Sequence, residues 1–487
     1  MHFLPSRYLL AFVFLLHAVV GVYVGLSVDE AHYLLYAQHP ALSYFDHPPL
    51  VGWVQWPLVE LLAPVGLIRL LAGLLWVATA LLVQRLAMAL SLRSGGDSAH
   101  AQHAGWWALL ALAASPILHV LGLALLPDTL LMALTAALML QTLRLMDAAK
   151  LASRRDWLLL GVLLGLAGLA KYTAIFAALA VGFCLLWAHG WRLLRQPWLW
   201  VCTLLAIAMV TPVLIWNAQN HWISFVYQAQ HGAGGAWRAS HVLRFALLQL
   251  LAFGPLLLWG LLSLRMGQRA IAPLLAFGVV PLAILSFMAG GGSSLPHWGA
   301  PAWVAFAPFA ALGLAGSWQA GAWRRWLLGG LLALQVAACA ALLGLMLSAG
   351  QPWFAGKARN PFADLHGWDA AGLRARALAR DHGLTAMAVQ NWTLGSRTGW
   401  YARQYTVHVL QARYDQFDIW SGDLKPDTGV LLLDWSMMPY APPVGAQGFR
   451  SCDLLDKLET VRWGTRIAHF SFYRCIGWQG APKASPK

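Results

Sequence analysis

Over residues 8–349 the chain is a succession of apolar runs, each near the ~20 residues that cross a bilayer, separated by short polar stretches. These runs predict about eleven transmembrane helices, at 8–26, 64–90, 104–125, 129–146, 157–170, 173–189, 198–216, 243–263, 271–289, 298–316 and 327–349. The run at 8–26 is read as the first span and not as a signal peptide, because many spans follow and no clear small-x-small cleavage site does. The runs at 157–170 and 173–189 are short and would also fit one long helix; two helices keep the charge pattern below consistent. Residues 27–63 interrupt the succession with two short helix-like stretches, around 30–38 and 50–62. Their Tyr33, Tyr36, Trp53 and Trp56 give this loop the character of a membrane interface. After residue 350 the pattern changes again. Strand-like runs at 386–389, 406–410 and 430–433 alternate with helical stretches at 371–381 and 394–403, which predicts a small α/β domain. The expected organisation is a polytopic α-helical membrane domain, 1–350, followed by a soluble domain, 351–487.

Composition agrees. Of 487 residues, 59% are hydrophobic and 11% charged, where a soluble protein carries about a quarter charged. The net charge of +14 invites a nucleic-acid partner, but the positive charge sorts by loop. Thirteen of the 17 Lys and Arg before residue 351 fall on alternate loops, at Arg7, Arg85, Arg93, Arg144, Lys150, Arg154, Arg155, Arg192, Arg195, Arg265, Arg269, Arg324 and Arg325. By the positive-inside rule those loops and the N-terminus are cytoplasmic. The loop 27–63 and the tail then face outward, and no nucleic acid is implied. Cys184, Cys202 and Cys339 lie in apolar runs as packing residues. Cys452 and Cys475 share the outward tail, where an oxidising compartment permits a disulfide between them.

Acids are few before residue 351. Asp97, Asp147 and Asp156 fall in cytoplasmic loops among arginines. Asp29, Glu30, Asp46, Glu60 and Asp128 all fall at the outer surface, and none at mid-bilayer, where a proton- or ion-coupled transporter places an ionisable group. Outer carboxylates can serve an enzyme in two ways. One can deprotonate an acceptor hydroxyl as general base. Two, with a histidine, can hold a divalent metal against a phosphate. The plain alternatives are that Glu30 sits in a first helical turn and that Asp128, after Pro127, is a helix cap. Lys171, in an apolar setting, either snorkels to the interface or meets an anion. Arg69, Arg238 and Arg244 share its side and can bind phosphate. His231, in a second outer loop, is a surface histidine or a metal partner. A third outer loop, 290–300, carries His297 and Trp298.

The ordered set of these residues resembles the GT-C fold glycosyltransferases that use polyprenyl-phosphate sugars. It is most similar to the bacterial branch of the protein O-mannosyltransferase superfamily that includes the lipid A aminoarabinose transferases. The resemblance rests on Asp29-Glu30 and Phe45-Asp46-His47-Pro48-Pro49-Leu50 in the first outer loop. It continues through Pro127-Asp128, Lys171-Tyr172-Thr173, Trp216-Asn217, Pro296-His297-Trp298 and Gly367-Trp368. It implies a GT-C membrane fold with a periplasmic tail domain, in a bacterial inner membrane with a cytoplasmic N-terminus. It also implies an inverting transfer from an undecaprenyl-phosphate sugar to an envelope glycolipid such as lipid A or its core, without a nucleotide cofactor. Asp29 matches the family's catalytic acid, with Glu30 beside it, and Asp128 matches the second acid. Asp46 stands where those transferases bind a metal. His47 stands where they have a lysine for the donor phosphate, a departure that shifts phosphate binding toward Lys171 and Arg69. A protein O-glycosyltransferase with the same donor remains open, as does, from another class, a lipid-linked sugar flippase.

Overall fold

The structure is a computed structural model. It describes residues 6–151, 153–264, 271–354, 357, 359–481 and 483, with His231 and Ala233 described in backbone only. Helices follow in chain order: α1 (Ser6–Tyr23), α2 (Val28–Gln38), α3 (Leu50–Glu60), α4 (Val65–Arg93), α5 (Ser98–Ala113), α6 (Pro116–Leu123), α7 (Pro127–Leu145), α8 (Arg154–Ala170), α9 (Ala174–His189) and α10 (Pro197–Gln219). Then come α11 (Ile223–Ala233), α12 (Ala239–Phe253), α13 (Pro255–Leu262), α14 (Ala276–Gly290), α15 (Ala300–Gln319) and α16 (Ala322–Leu347). The tail adds α17 (Trp368–Asp381), β1 (Ala386–Val389), α18 (Trp392–Tyr401), β2 (Thr406–Val409), α19 (Gln416–Ser421), β3 (Val430–Trp435), β4 (Phe449–Arg462) and β5 (Thr465–Trp478).

Among the described residues, eight helices are long and apolar enough to cross a membrane, or up to ten if each of two bent pairs is one span. The expected count of eleven is not confirmed by length and composition. The remaining expected span, at 157–170, is α8, whose 17 residues stand at the short end of the ~17–25 that cross a bilayer. The expected spans at 104–125 and 243–263 are the bent pairs, α5–α6 at 74° and α12–α13 at 101°. Each break falls just before a proline, Pro116 or Pro255. Arg265 and Arg269 lie outside the described residues.

The chain divides into two compact units, Met1–Val19 with Asp46–Val51 and Pro64–Ala340, and Val20–Phe45 with Gly52–Ala63 and Ala341–Lys487. In the first unit α15 is central, with every residue from Ala300 to Ala311 buried. It packs against α4, α5, α7, α13 and α14. A Cβ at Gly260 would strike the backbone of Ala310, so α13 and α15 touch backbone to backbone there, as small residues allow between membrane helices.

Apolar surroundings leave no water for freed backbone groups, and two side chains repair the helix breaks. Gln335 on α16 donates from Nε2 to Ala114 O (2.8 Å), and its Oε1 accepts from Leu256 N–H (2.8 Å). Ser115 Oγ donates to Phe253 O at 2.9 Å.

In the second unit the tail forms a five-stranded sheet of order β2-β1-β3-β5-β4. β1 pairs parallel with β2 and β3, and β5 pairs antiparallel with β3 and β4. β1 and β3 are buried along their whole length, as strands covered on both faces are. Cys452 and Cys475 are opposite residues of β4 and β5 and are disulfide-bonded. Residues 27–45 and 52–63 of the opening loop belong to this unit. Gly25 N–H donates to Leu365 O (2.9 Å), Leu26 N–H to Tyr401 Oη (3.1 Å) and Phe45 N–H to Gln416 Oε1 (2.7 Å). His32 Nδ1 lies 3.0 Å from Ser396 Oγ, so α2 docks along α18.

On β3, burial pushes the Asp434 carboxyl up to about 6, although its Oδ1 accepts from Tyr440 N–H. A raised carboxyl favours the folded state at low pH, and that contribution is lost as pH rises from the unfolded value near 4 through 6. Asp434→Asn keeps the acceptor and removes the charge. Tryptophan-fluorescence unfolding in detergent is expected to show the variant more stable than wild type at pH 7.5, by at most ~3 kcal/mol. The gap should narrow to about 1 kcal/mol at pH 4.5.

Candidate active site

In the first unit the chemistry gathers where two helix ends meet. Pro127 opens α7 and puts Asp128 in its first turn, at the positive end of the helix dipole. α8 ends at Lys171, whose backbone is extended and whose side chain leaves from the negative end of that helix. The two side chains close on each other: Lys171 Nζ donates to both oxygens of Asp128, at 2.6 and 2.7 Å. Both are almost fully buried, Asp128 2% and Lys171 5% exposed. An ion pair survives such burial only with close geometry and further polar support. Here each charge also sits at the helix end of opposite sign, and His297 Nε2 lies 3.9 Å from Asp128 Oδ2. The Lys171 ammonium stands 5.5 Å from the Trp298 ring centre, within cation–π range.

Asp46 and His47 belong to the same unit. The Asp46 carbonyl accepts from Gln228 Nε2 at 2.6 Å and lies against His47 Nδ1. Burial holds the His47 imidazole below its ordinary range; Asp46 and Asp128 oppose this, while Lys171 adds to it. His47 is therefore mostly neutral at pH 7, with its Nδ1–H turned to the Asp46 carbonyl. Arg69 is buried in the second turn of α4. Arg238 and Arg244 are exposed at the start of α12. His231 lies on α11 and nothing is described of its side chain.

Asp29 and Glu30 open α2 in the second unit. Glu30 is committed to the helix start. Its Oε2 accepts from Ser27 N–H and Ser27 Oγ, both at 3.0 Å, while Ser27 Oγ accepts from Glu30 N–H. This is a capping box, and it leaves Asp29 as the half-buried acid of that turn. Asp29 acts electrostatically on Arg397, a fully buried guanidinium on α18 that is paired with Asp364 and lies over the rings of Trp368 (4.0 Å) and Trp435 (5.1 Å).

Among the described residues, no three His, Cys, Asp or Glu side chains form a group that could hold a metal ion. Both oxygens of Asp128 are already taken by Lys171. No step is routed through a metal.

Lys171 and Tyr172 also close one end of an apolar groove of about 530 Å³ between α8, α9 and α10. Leu160, Leu164 and Gly168 line it from α8, Ala178 and Leu185 from α9, and Ile207 and Val210 from α10. From Leu160 to Lys171 it follows α8 for ~16 Å. Gly161 and Gly165 bring α8 close to α10, where a Cβ would meet Cys202 O at 2.9 Å and Met209 Sδ at 2.6 Å.

Residues 46–216 match the model of the family described as dolichyl-phosphate-mannose-protein mannosyltransferase. This match and the fold liken the chain to glycosyltransferases of the GT-C class. Among solved structures the chain is similar to ArnT from Cupriavidus metallidurans. The apo form is 16% identical over 88% of this chain and 92% of that one, with a TM-score of 0.59. The form bound to undecaprenyl phosphate is 15% identical over 96% and 98%, with a TM-score of 0.60. At such identity the likeness is one of fold. No curated protein matches the chain by sequence.

Sequence reasoning singled out Asp128 and Lys171 separately, and the structure joins them. It missed His297 as a neighbour of Asp128, although Pro296-His297-Trp298 stood out in the third outer loop, and it missed Arg397, the one charged residue of α18.

A buried pair broken on one side leaves an uncompensated charge, at a cost of ~3–5 kcal/mol. Asp128→Asn and Lys171→Met are each expected to lower unfolding stability in detergent by several kcal/mol. The double variant should recover most of the loss; losses that simply add would show the pair to be uncoupled.

Proposed function

We propose that the protein transfers a sugar from undecaprenyl phosphate, or a related polyprenyl phosphate, to an envelope glycolipid such as lipid A or its core, with inversion at the anomeric carbon. The observation that carries this reading is the buried Lys171–Asp128 pair at the end of an apolar groove. A polyprenyl phosphate has the same two parts, an anionic head and a long apolar chain. Lys171 spends two of its three N–H bonds on Asp128 and keeps one for a phosphate oxygen. Arg69, also buried in this unit, supplies a second positive charge. The ArnT structure that binds undecaprenyl phosphate shares the fold.

The chemistry then runs as a single displacement. The acceptor hydroxyl oxygen attacks the anomeric carbon as the bond from that carbon to the phosphate oxygen breaks. The hydroxyl proton passes to a carboxylate acting as general base, the role that the resemblance of the first outer loop gives to Asp29. The electron pair of the broken bond leaves on the polyprenyl phosphate, where Lys171 and Arg69 stabilise the charge that develops.

Orientation follows from charge and redox chemistry. The arginine-rich loops are cytoplasmic by the positive-inside rule. The Cys452–Cys475 disulfide suits an oxidising periplasm for the tail. The membrane is then the bacterial inner membrane, with Asp29 on its periplasmic side. The transport reading has less support. Asp97, Asp128, Asp147 and Asp156 all sit at helix ends, and none is in the middle of a span.

The test is transfer in membranes, using polyprenyl-phosphate sugars and envelope acceptors of the host, read by mass spectrometry of lipid A, core and envelope proteins. Wild type is expected to add a glycan mass to a glycolipid. Asp29→Asn, at equal expression, should reduce the rate at least 100-fold, within the range of general base catalysis (~10²–10⁴). The same yield from both proteins would remove Asp29 as the base. Product on protein and not on lipid would replace the acceptor.

A further inference from the structure

A second concave site lies wholly within the second unit. It is a pocket of about 260 Å³ formed by the end of α2, the end of α18, β2 and α19. Nothing in the transfer reaction described above uses it.

Its wall has the chemistry of a sugar site. Trp420 is held in place by other rings, with centres 5.3 Å from Phe417 at 87° and 5.1 Å from His39 at 33°. Trp420 is only half-buried and lines the pocket. A fixed indole offers an apolar platform to the C–H face of a sugar ring at little entropic cost. Gln38 and Gln404 stand at the rim, both exposed. Their amides carry donors and acceptors together, as sugar hydroxyls require.

The charge is one-sided. Arg403 lines the pocket and no acid does. Its guanidinium is stacked on Trp400, 3.6 Å from the ring centre, and its Nε donates to Trp400 O. That commitment leaves the terminal nitrogens for an anion. The charge of Arg376 reinforces it. Gln404 has a φ of +99°, a conformation that costs a non-glycine residue free energy and that concentrates at ligand sites.

We propose that this pocket binds a phosphorylated saccharide. Resting on the glycolipid reading above, the ligand is a part of the acceptor glycan away from the reacting hydroxyl. Gln38 ends the helix whose first turn carries Asp29. Nine residues at 1.5 Å each separate them by ~14 Å along α2, further than one sugar ring reaches. The pocket then gives the acceptor a second hold on the helix that presents the base.

The experiment is equilibrium binding to the full-length protein in detergent, in the Asp29→Asn background and without donor, so that binding is read independently of transfer. The probes are the delipidated, doubly phosphorylated glucosamine disaccharide, the same disaccharide without phosphates, and free glucosamine 1-phosphate. The phosphorylated disaccharide is expected to bind saturably. Removing its phosphates or introducing Arg403→Gln should each weaken it about tenfold, and Trp420→Ala at least as much. Gln404→Gly should raise thermal stability by relieving the strained backbone and yet weaken binding, a split that a purely structural role for the loop would not give. Binding of glucosamine 1-phosphate as tight as that of the disaccharide would replace the acceptor glycan by a free sugar phosphate. Absence of saturable binding by wild-type pocket residues, or binding indifferent to Trp420→Ala, Arg403→Gln and Gln404→Gly alike, would overturn the proposal. Absence of transfer with intact binding would instead count against the reaction.

Discussion

A carboxylate and an ammonium cannot be taken out of water singly. Asp128 and Lys171 are both nearly inaccessible, and much of the first unit can be read as the means of keeping them there. Pro127 starts α7 so that Asp128 meets the helix's free N–H end. α8 stops at 17 residues so that Lys171 is delivered from a carbonyl end. The tight turn at 171–173 then sends α9 back alongside, and the groove opens between α8, α9 and α10 with the pair at its end. The short helix α8 is the one that positions the lysine.

The same intolerance of unpaired polar groups accounts for several polar residues buried in the spans. Gln335 and Ser115 serve the free backbone at two helix breaks. His17 and His119 meet each other at 2.9 Å, and His119 also meets Ala113 O at 2.8 Å. These are repairs to helix geometry, and the groups that remain for chemistry stand at helix ends and in loops.

How much of this could be read from the sequence depends on the range of the interaction. Apolar runs and loop charges showed the membrane helices, and the β1, β2 and β3 runs showed themselves as short buried stretches. Ser27-x-x-Glu30 spells a capping box, so the plain alternative for Glu30 was legible locally. The β4–β5 hairpin was not. Its register shifts at Leu454/Asp456 and Thr460/Val461 break the two-residue alternation that marks a strand. Two long-range facts also stayed hidden: that Asp128 and Lys171, 43 residues apart, form one pair, and that the opening loop is built into the tail unit through Leu365, Tyr401 and Gln416. Neither leaves a periodic trace, because each depends on which segments pack together.

The central claim is that a polyprenyl phosphate lies with its head at Lys171 and its chain along α8, α9 and α10. Photo-crosslinking with a polyprenyl phosphate carrying a diazirine in its chain, followed by peptide mapping, addresses it directly. Adducts are expected on groove residues such as Leu164, Ala178 and Val210, competed by unlabelled polyprenyl phosphate and lost in Lys171→Met. Adducts spread over the lipid-exposed helices, or unchanged in Lys171→Met, would contradict it.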